Sequence, residues 1–234
     1  MAGKNQLTIE YIFSFEDGRK ATFLIKLDSG TLRYVSEKND HPPDWARLEF
    51  EQCPNCTLRN EETPYCPVAK NLNHIIPSFS EVKSFDTVLV LVKTDERNFA
   101  KKTSIQRGLS SMLGIYMVTT GCPILSKLKP MVRHHLPFAT VEETIFRSAS
   151  TYLLGQYFKY KKGQIADLDL AGLAKIYEEI QTVNIALADR LRAIPAKDAN
   201  VNALVVLDVF AKEMPYSVES SLKDLEYLFS DEIE

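Results

Sequence analysis

No stretch of the sequence is long and apolar enough to span a bilayer. The longest strongly apolar run, Thr87 to Val92, falls well short of the roughly 20 residues a membrane helix needs. The opening residues, Met1-Ala2-Gly3-Lys4-Asn5-Gln6, have no apolar core of the kind that directs secretion. These two absences predict a soluble, cytoplasmic chain with no membrane partner. Cysteine is scarce, 4 in 234 residues, too few for a disulfide scaffold. An excess of one charge is missing too. Lys and Arg number 28 against 31 Asp and Glu, for a net charge of −3, which argues against nucleic-acid binding by bulk charge. Glycine-rich nucleotide loops, a Gly-x-Ser-x-Gly elbow and a His-Glu-x-x-His helix are all absent, so no motif names a reaction. There is no internal repeat and no low-complexity tract.

What is present is an ordinary globular balance, 45% apolar and 25% charged, which rules out global disorder and pure coiled coil. The pattern predicts an α+β fold, with an N-terminal antiparallel sheet bearing a cysteine-rich insertion and a helical C-terminal half. Residues 1–103 form the β-rich region, interrupted at about 51–77, and residues 104–234 form helices packed on it as one domain. Residues 8–15 and 20–27 read as strands joined at Asp17-Gly18, a strong hairpin signal. Thr31 to Ser36 reads as a third strand and Trp45 to Phe50 as a further one. The apolar run of Phe85 to Lys93 predicts a central strand buried on both faces.

Helical signals follow. Ser104 caps a helix to about Val118, which Thr119-Thr120-Gly121-Cys122-Pro123 ends. A second helix runs from Ile124 to about His135, bent at Pro130. Thr140 and Glu143 form a capping box opening a helix to about Tyr160. Asp169 caps a long helix to about Ile194, whose seam comprises Leu173, Ile176, Ile180, Val183, Leu187, Leu191 and Ile194. Such a seam packs inside the domain or drives a homodimer through helix 169–194. Two more helices are expected over 201–213 and 217–229, in a C-terminal stretch dominated by carboxylates, which disfavours DNA there.

The most informative tetrapeptide is Cys53-Pro54-Asn55-Cys56. Two cysteines three apart on a tight turn aim both sulfurs at one point, as in a zinc knuckle. Cys66, in Tyr65-Cys66-Pro67, follows closely enough for the loop to close back on the pair. A zinc ion needs a fourth ligand, and two residues compete for that place. A helix from Val68 carries His74 roughly 9 to 12 Å along its axis from Cys66. Cys122 instead ends a helix in the apolar half, where a thiolate is costly unless a cation compensates it. The reading therefore takes Cys53, Cys56, Cys66 and Cys122 as metal ligands. Zinc leads, an iron–sulfur cluster comes second and a Cys53–Cys56 redox dithiol third, against the bland alternative of inert thiols. The role is binding or regulation, with no reaction assigned.

A second polar region surrounds Arg133-His134-His135 and Glu142-Glu143 with Arg147. Its bland reading is ion pairs tying two helices together. The alternative function is an enzyme with a polar pocket around Cys122, His134 and His135, tested also at Arg133 and Glu143, acting on an unknown small molecule. Thr-Thr-Gly-Cys-Pro, then Lys-Pro-Met-Val-Arg-His-His-Leu-Pro-Phe-Ala, then Glu-Glu-Thr-Ile-Phe-Arg, with Cys-Pro-x-Cys and Tyr-Cys-Pro-Val-Ala, resemble an uncharacterised bacterial family over most of residues 50–160. That resemblance implies no activity, so it carries over no catalytic residue.

Overall fold

The computed structural model describes residues 5–35, 41–193, 201–202, 207, 223 and 225–230. Strand β1 (Gln6–Phe15) turns at Gly18, whose φ of +87° suits glycine, into β2 (Lys20–Asp28). Strands β3 (Thr87–Thr94) and β4 (Asn98–Ser104) complete an antiparallel sheet in the order β2-β1-β3-β4. Tyr11 lies opposite both Phe23 and Val92, and Phe13 opposite both Ala21 and Val90. With a side-chain period of two, this register sends Ile9, Tyr11, Phe13, Ile25, Val88, Val90 and Val92 to one buried face. The other face meets water. Glu10 pairs with Lys93 across it at 3.0 Å, and Leu89 is 49% exposed. Strand β3 is therefore interior in the pairing order but buried on one face only, correcting the expectation of double burial.

Helix α1 (Pro67–Leu72) is short, and α2 (Ile105–Thr119) is the central helix. Gly108 lets α2 sit close to the sheet. A Cβ there would stand 2.8 Å from Val90 Cγ2 and 3.1 Å from Phe13 Cε1. Ser104 occupies the position before α2 but caps no amide. The carbonyls of Asp86 and Ser84 accept from Ile105 and Gln106 instead. Helices α3 (Val141–Lys161) and α4 (Ala171–Arg192) follow a 3-10 helix at Leu125–His134, which stands where an α-helix bent at Pro130 was expected. One continuous core joins the sheet face, α1, α2, Ile145 and Ala149 of α3, and the α4 seam from Leu173 to Leu191. The seam is thus occupied within the chain, and Ile194 lies outside the described residues.

Two expected strands do not form. In 31–35, the Asp28 carboxylate accepts from the Thr31 amide and hydroxyl, curling the chain, and Leu32 adopts a φ of +55°. A single bridge, Leu27 to Tyr34, remains. In 44–50, a 3-10 turn (Asp44–Ala46) is followed by one bridge, Arg47 to Tyr65. Its Trp45, Arg47 and Leu48 carbonyls are taken by a side chain rather than by a neighbouring strand, as described below. At the start of α4 the acceptor is Asp167, not Asp169. Asp167 Oδ2 accepts from the Gly172 amide at 2.7 Å and the Tyr152 hydroxyl at 2.8 Å, while Leu170 sits in the left-handed region at φ +59°. The capping box of α3 forms as read, with Glu143 N to Thr140 Oγ1 at 3.1 Å and Thr140 N to Glu143 Oε2 at 2.7 Å. The helices expected over 201–213 and 217–229 fall largely outside the described residues. Among the described residues no helix is long and apolar enough to cross a membrane.

Candidate functional site

The cysteines arrive from three parts of the chain. Cys53 and Cys56 flank a tight turn closed by the Cys56 amide on the Cys53 carbonyl at 2.9 Å. Asn55, at the tip of that turn, donates to the Glu179 carbonyl of α4 at 2.9 Å, and Glu179 forms an ion pair with Lys127. The knuckle is thereby fixed against α4. Cys66 stands before the first residue of α1, its own amide held by the Ala46 carbonyl at 2.8 Å. Cys122 follows the end of α2, where Gly121 turns the chain at φ +108°. A Cβ on Gly121 would lie 3.9 Å from Pro67 Cβ, so the end of α2 abuts the start of α1 and brings Cys122 to Cys66. The backbone amides of Leu125 and Ile124 favour the ionised form of the Cys122 thiol.

The thiols bear on one another electrostatically at Cys53 and at Cys122. Burial above all, then Cys66, Cys122 and Cys56 in that order, push Cys53 up to about 12, while Arg190 opposes them. Cys122 is raised chiefly by burial, its two amide donors pull it back, and Cys66 and Cys56 push it up. None of the four is in a disulfide. Arg190 is only 2% exposed. Its Nη1 donates to the carbonyls of Trp45 and Arg47, both at 2.7 Å, and its Nη2 to those of Leu48 at 3.2 Å and Glu51 at 3.4 Å. Burial lowers its pKa, and Cys66, Cys53, Glu51 and Cys56 act to raise it. A buried guanidinium beside several thiols favours their ionised form.

Such a donor set suits a thiophilic ion: four sulfurs match tetrahedral zinc, and the neighbouring cation offsets thiolate charge. Among the described residues, no three His, Cys, Asp or Glu side chains surround a common point in ion-holding geometry. The thiols share a neighbourhood rather than a closed cage. His74 is committed elsewhere, with Nε2 3.3 Å from the Tyr116 hydroxyl and its ring against Tyr116 and Phe23. Arg190 escaped the sequence reading although its signal was there. It lies seven residues after Val183 and three after Leu187, a cation on the apolar stripe.

His134 and His135 line a separate cavity of about 150 Å³, and Cys122 does not. The trio of Cys122, His134 and His135 is therefore split. Arg133 reaches Glu96 at 4.0 Å, Arg147 donates to the Met131 and His134 carbonyls, and Glu143 serves the α3 cap. The expected ion pairs between two helices are not what these residues form: Arg133 pairs with the turn between β3 and β4, Arg147 with backbone carbonyls, and Glu143 with its own helix start. Two groups not foreseen lie beneath His135. Its Nε2 is 2.6 Å from the Tyr11 hydroxyl, which is 2.8 Å from Ser111 Oγ.

Compared with known proteins, residues 9–230 match the family model described as a domain of unknown function (DUF6901), and the chain belongs to that family. No curated protein and no solved structure matches it.

Proposed function

We propose that this member of a family of unknown function is a metal-binding protein of binding or regulatory role. Cys53, Cys56, Cys66 and Cys122 would hold a zinc ion, with an iron–sulfur cluster the lesser alternative. The observation that carries the reading is the gathering of four free thiols from three chain segments into one electrostatic neighbourhood beside buried Arg190. Four thiolates and one zinc ion bear a formal charge of −2, and a guanidinium against them moderates the cost of burying it. Rotation about the cysteine Cα–Cβ bonds is the motion that would close the neighbourhood into a cage. The loop carrying Cys53 and Cys56 is mostly polar, so a metal would supply the docking energy that apolar burial does not. A reducing cytoplasm, which keeps thiols available, fits this use, as does a bacterial source. A homodimer through α4 would have to use its outward residues, Ile185 among them, since the seam faces the core.

Metal analysis of protein purified without chelator tests the proposal. About one zinc per chain is expected, with the thiols protected from titration. Cys53→Ser and Cys122→Ser should each lose metal on dialysis, and His74→Ala should retain it. Less than about 0.2 equivalents of any transition metal, with all four thiols freely titratable, would defeat the reading.

A further inference from the structure

The cavity beside His135 is unrelated to the cysteines and has a polarity set by the hydrogen bonds beneath it. Ser111 Oγ accepts from the Phe138 amide at 3.2 Å. Among the described residues, the one acceptor within reach of the Ser111 hydroxyl proton is the Tyr11 oxygen. Tyr11 then donates its own proton, and its acceptor is His135 Nε2. With the Nε2 lone pair engaged, the neutral imidazole carries its proton on Nδ1. That nitrogen has no protein partner among the described residues, and His135 lines the cavity. Burial, with Arg147 contributing, holds the ring's pKa down to about 3, so the neutral form persists at ordinary pH. A ring in this state offers a proton and no lone pair, so it is a donor to an anion rather than a ligand to a metal.

The rim agrees in sign. Arg97, from the turn between β3 and β4, and Arg133 both line the cavity, against the single carboxylate of Glu96. At about 150 Å³ the space is below the range of drug-sized pockets and suits a molecule the size of phosphate or a short carboxylic acid. We propose that this cavity binds a small oxyanion, a phosphate or carboxylate group, held by His135 Nδ1–H and the guanidinium groups of Arg97 and Arg133.

The test uses the full chain labelled with ¹⁵N-histidine and followed by imidazole NMR. Inorganic phosphate and succinate are titrated separately. The expected result is an Nδ1–H tautomer at His135 and a saturable shift of its ring with at least one anion, while the His74 ring stays still. Arg97→Gln and Arg133→Gln, both at exposed positions, should each weaken binding by about tenfold or more, as loss of a charge-assisted donor does. Whichever anion binds more tightly names the group recognised. A proton on Nε2, no saturable shift with either anion, equal shifts at His74, or binding untouched by both arginine variants would each overturn the proposal.

Discussion

Arg190 donates to the carbonyls of Trp45, Arg47, Leu48 and Glu51, four acceptors on a segment with almost no sheet pairing of its own. Arg190→Met would remove one buried charge and strip four carbonyls of their donor. A loss of about 3 to 5 kcal/mol is expected in urea unfolding, comparable to breaking a buried ionic network. Arg190→Lys should recover less than half of it, because an ammonium is a point donor and cannot span the carbonyls that a planar fork reaches. Full recovery by lysine would show that charge alone matters there. His135 makes a different prediction. Its folded pKa of about 3 lies below the ordinary value of 6.5, so as pH falls the unfolded chain binds the proton first. The contribution is fully present above about pH 6.5 and is lost as pH falls from there toward 3. The slope approaches about 1.4 kcal/mol per pH unit, reduced to the extent that solvent reaches the partly exposed ring. Unfolding midpoints at pH 7 and pH 4.5 should therefore separate more in the wild type than in His135→Asn. Equal separations would acquit His135 as an acid-labile group.

At the scale of elements, the α3 capping box is wholly local, with both bonds spanning three residues. Thr140→Ala should cost about 1 kcal/mol, read as a shifted urea midpoint with an unchanged slope. Locality also explains what could be read beforehand. The β1–β2 hairpin, the strand at Thr87–Thr94, the end of α2 at Gly121 and the spacing of Cys53 and Cys56 are all written within a few residues. The strand expected over Trp45 to Phe50 failed for a distant reason, since its Trp45, Arg47 and Leu48 carbonyls are claimed by Arg190 more than 140 positions away. Asp169 lost the α4 start to Asp167 because Tyr152, on another helix, also donates to that carboxylate. The gathering of Cys122 with Cys66 depends on α1 meeting the end of α2, and the Tyr11–Ser111–His135 chain on three elements meeting; neither is encoded in spacing. Double burial of β3 was inferred from its apolar run, but Leu89 and Leu91 face away from the core despite their character, and alternation follows from the pairing register.

The whole molecule places a polar cysteine loop between a sheet-backed core and α4, held by Asn55, by Arg190 and, on the proposed reading, by a metal. Loss of the ion should then be felt first in that loop. Arg59 is exposed between Cys56 and Cys66, and its carbonyl accepts from the Thr63 and Glu62 amides at 2.9 and 3.2 Å, a local turn with little burial behind it. It is a natural trypsin site once the loop opens. A ligand present at a thousandfold above its dissociation constant stabilises the state that binds it by about 4 kcal/mol. If opening of the loop requires release of the ion, most of that difference falls on the opening equilibrium, and cleavage under native conditions follows the open population. Metal-loaded protein should accordingly resist cleavage at Arg59, and chelator-treated protein should be cut at least about tenfold faster. Cleavage after Lys161 and Lys162, at the end of α3, should change little and serves as the internal reference. Cys122→Ser gives the decisive comparison, because it leaves the loop sequence intact. If Cys122 is a ligand, this variant is cut at Arg59 as fast with added zinc as without, whereas continued protection by zinc would confine the ligands to Cys53, Cys56 and Cys66 and detach the site from α2.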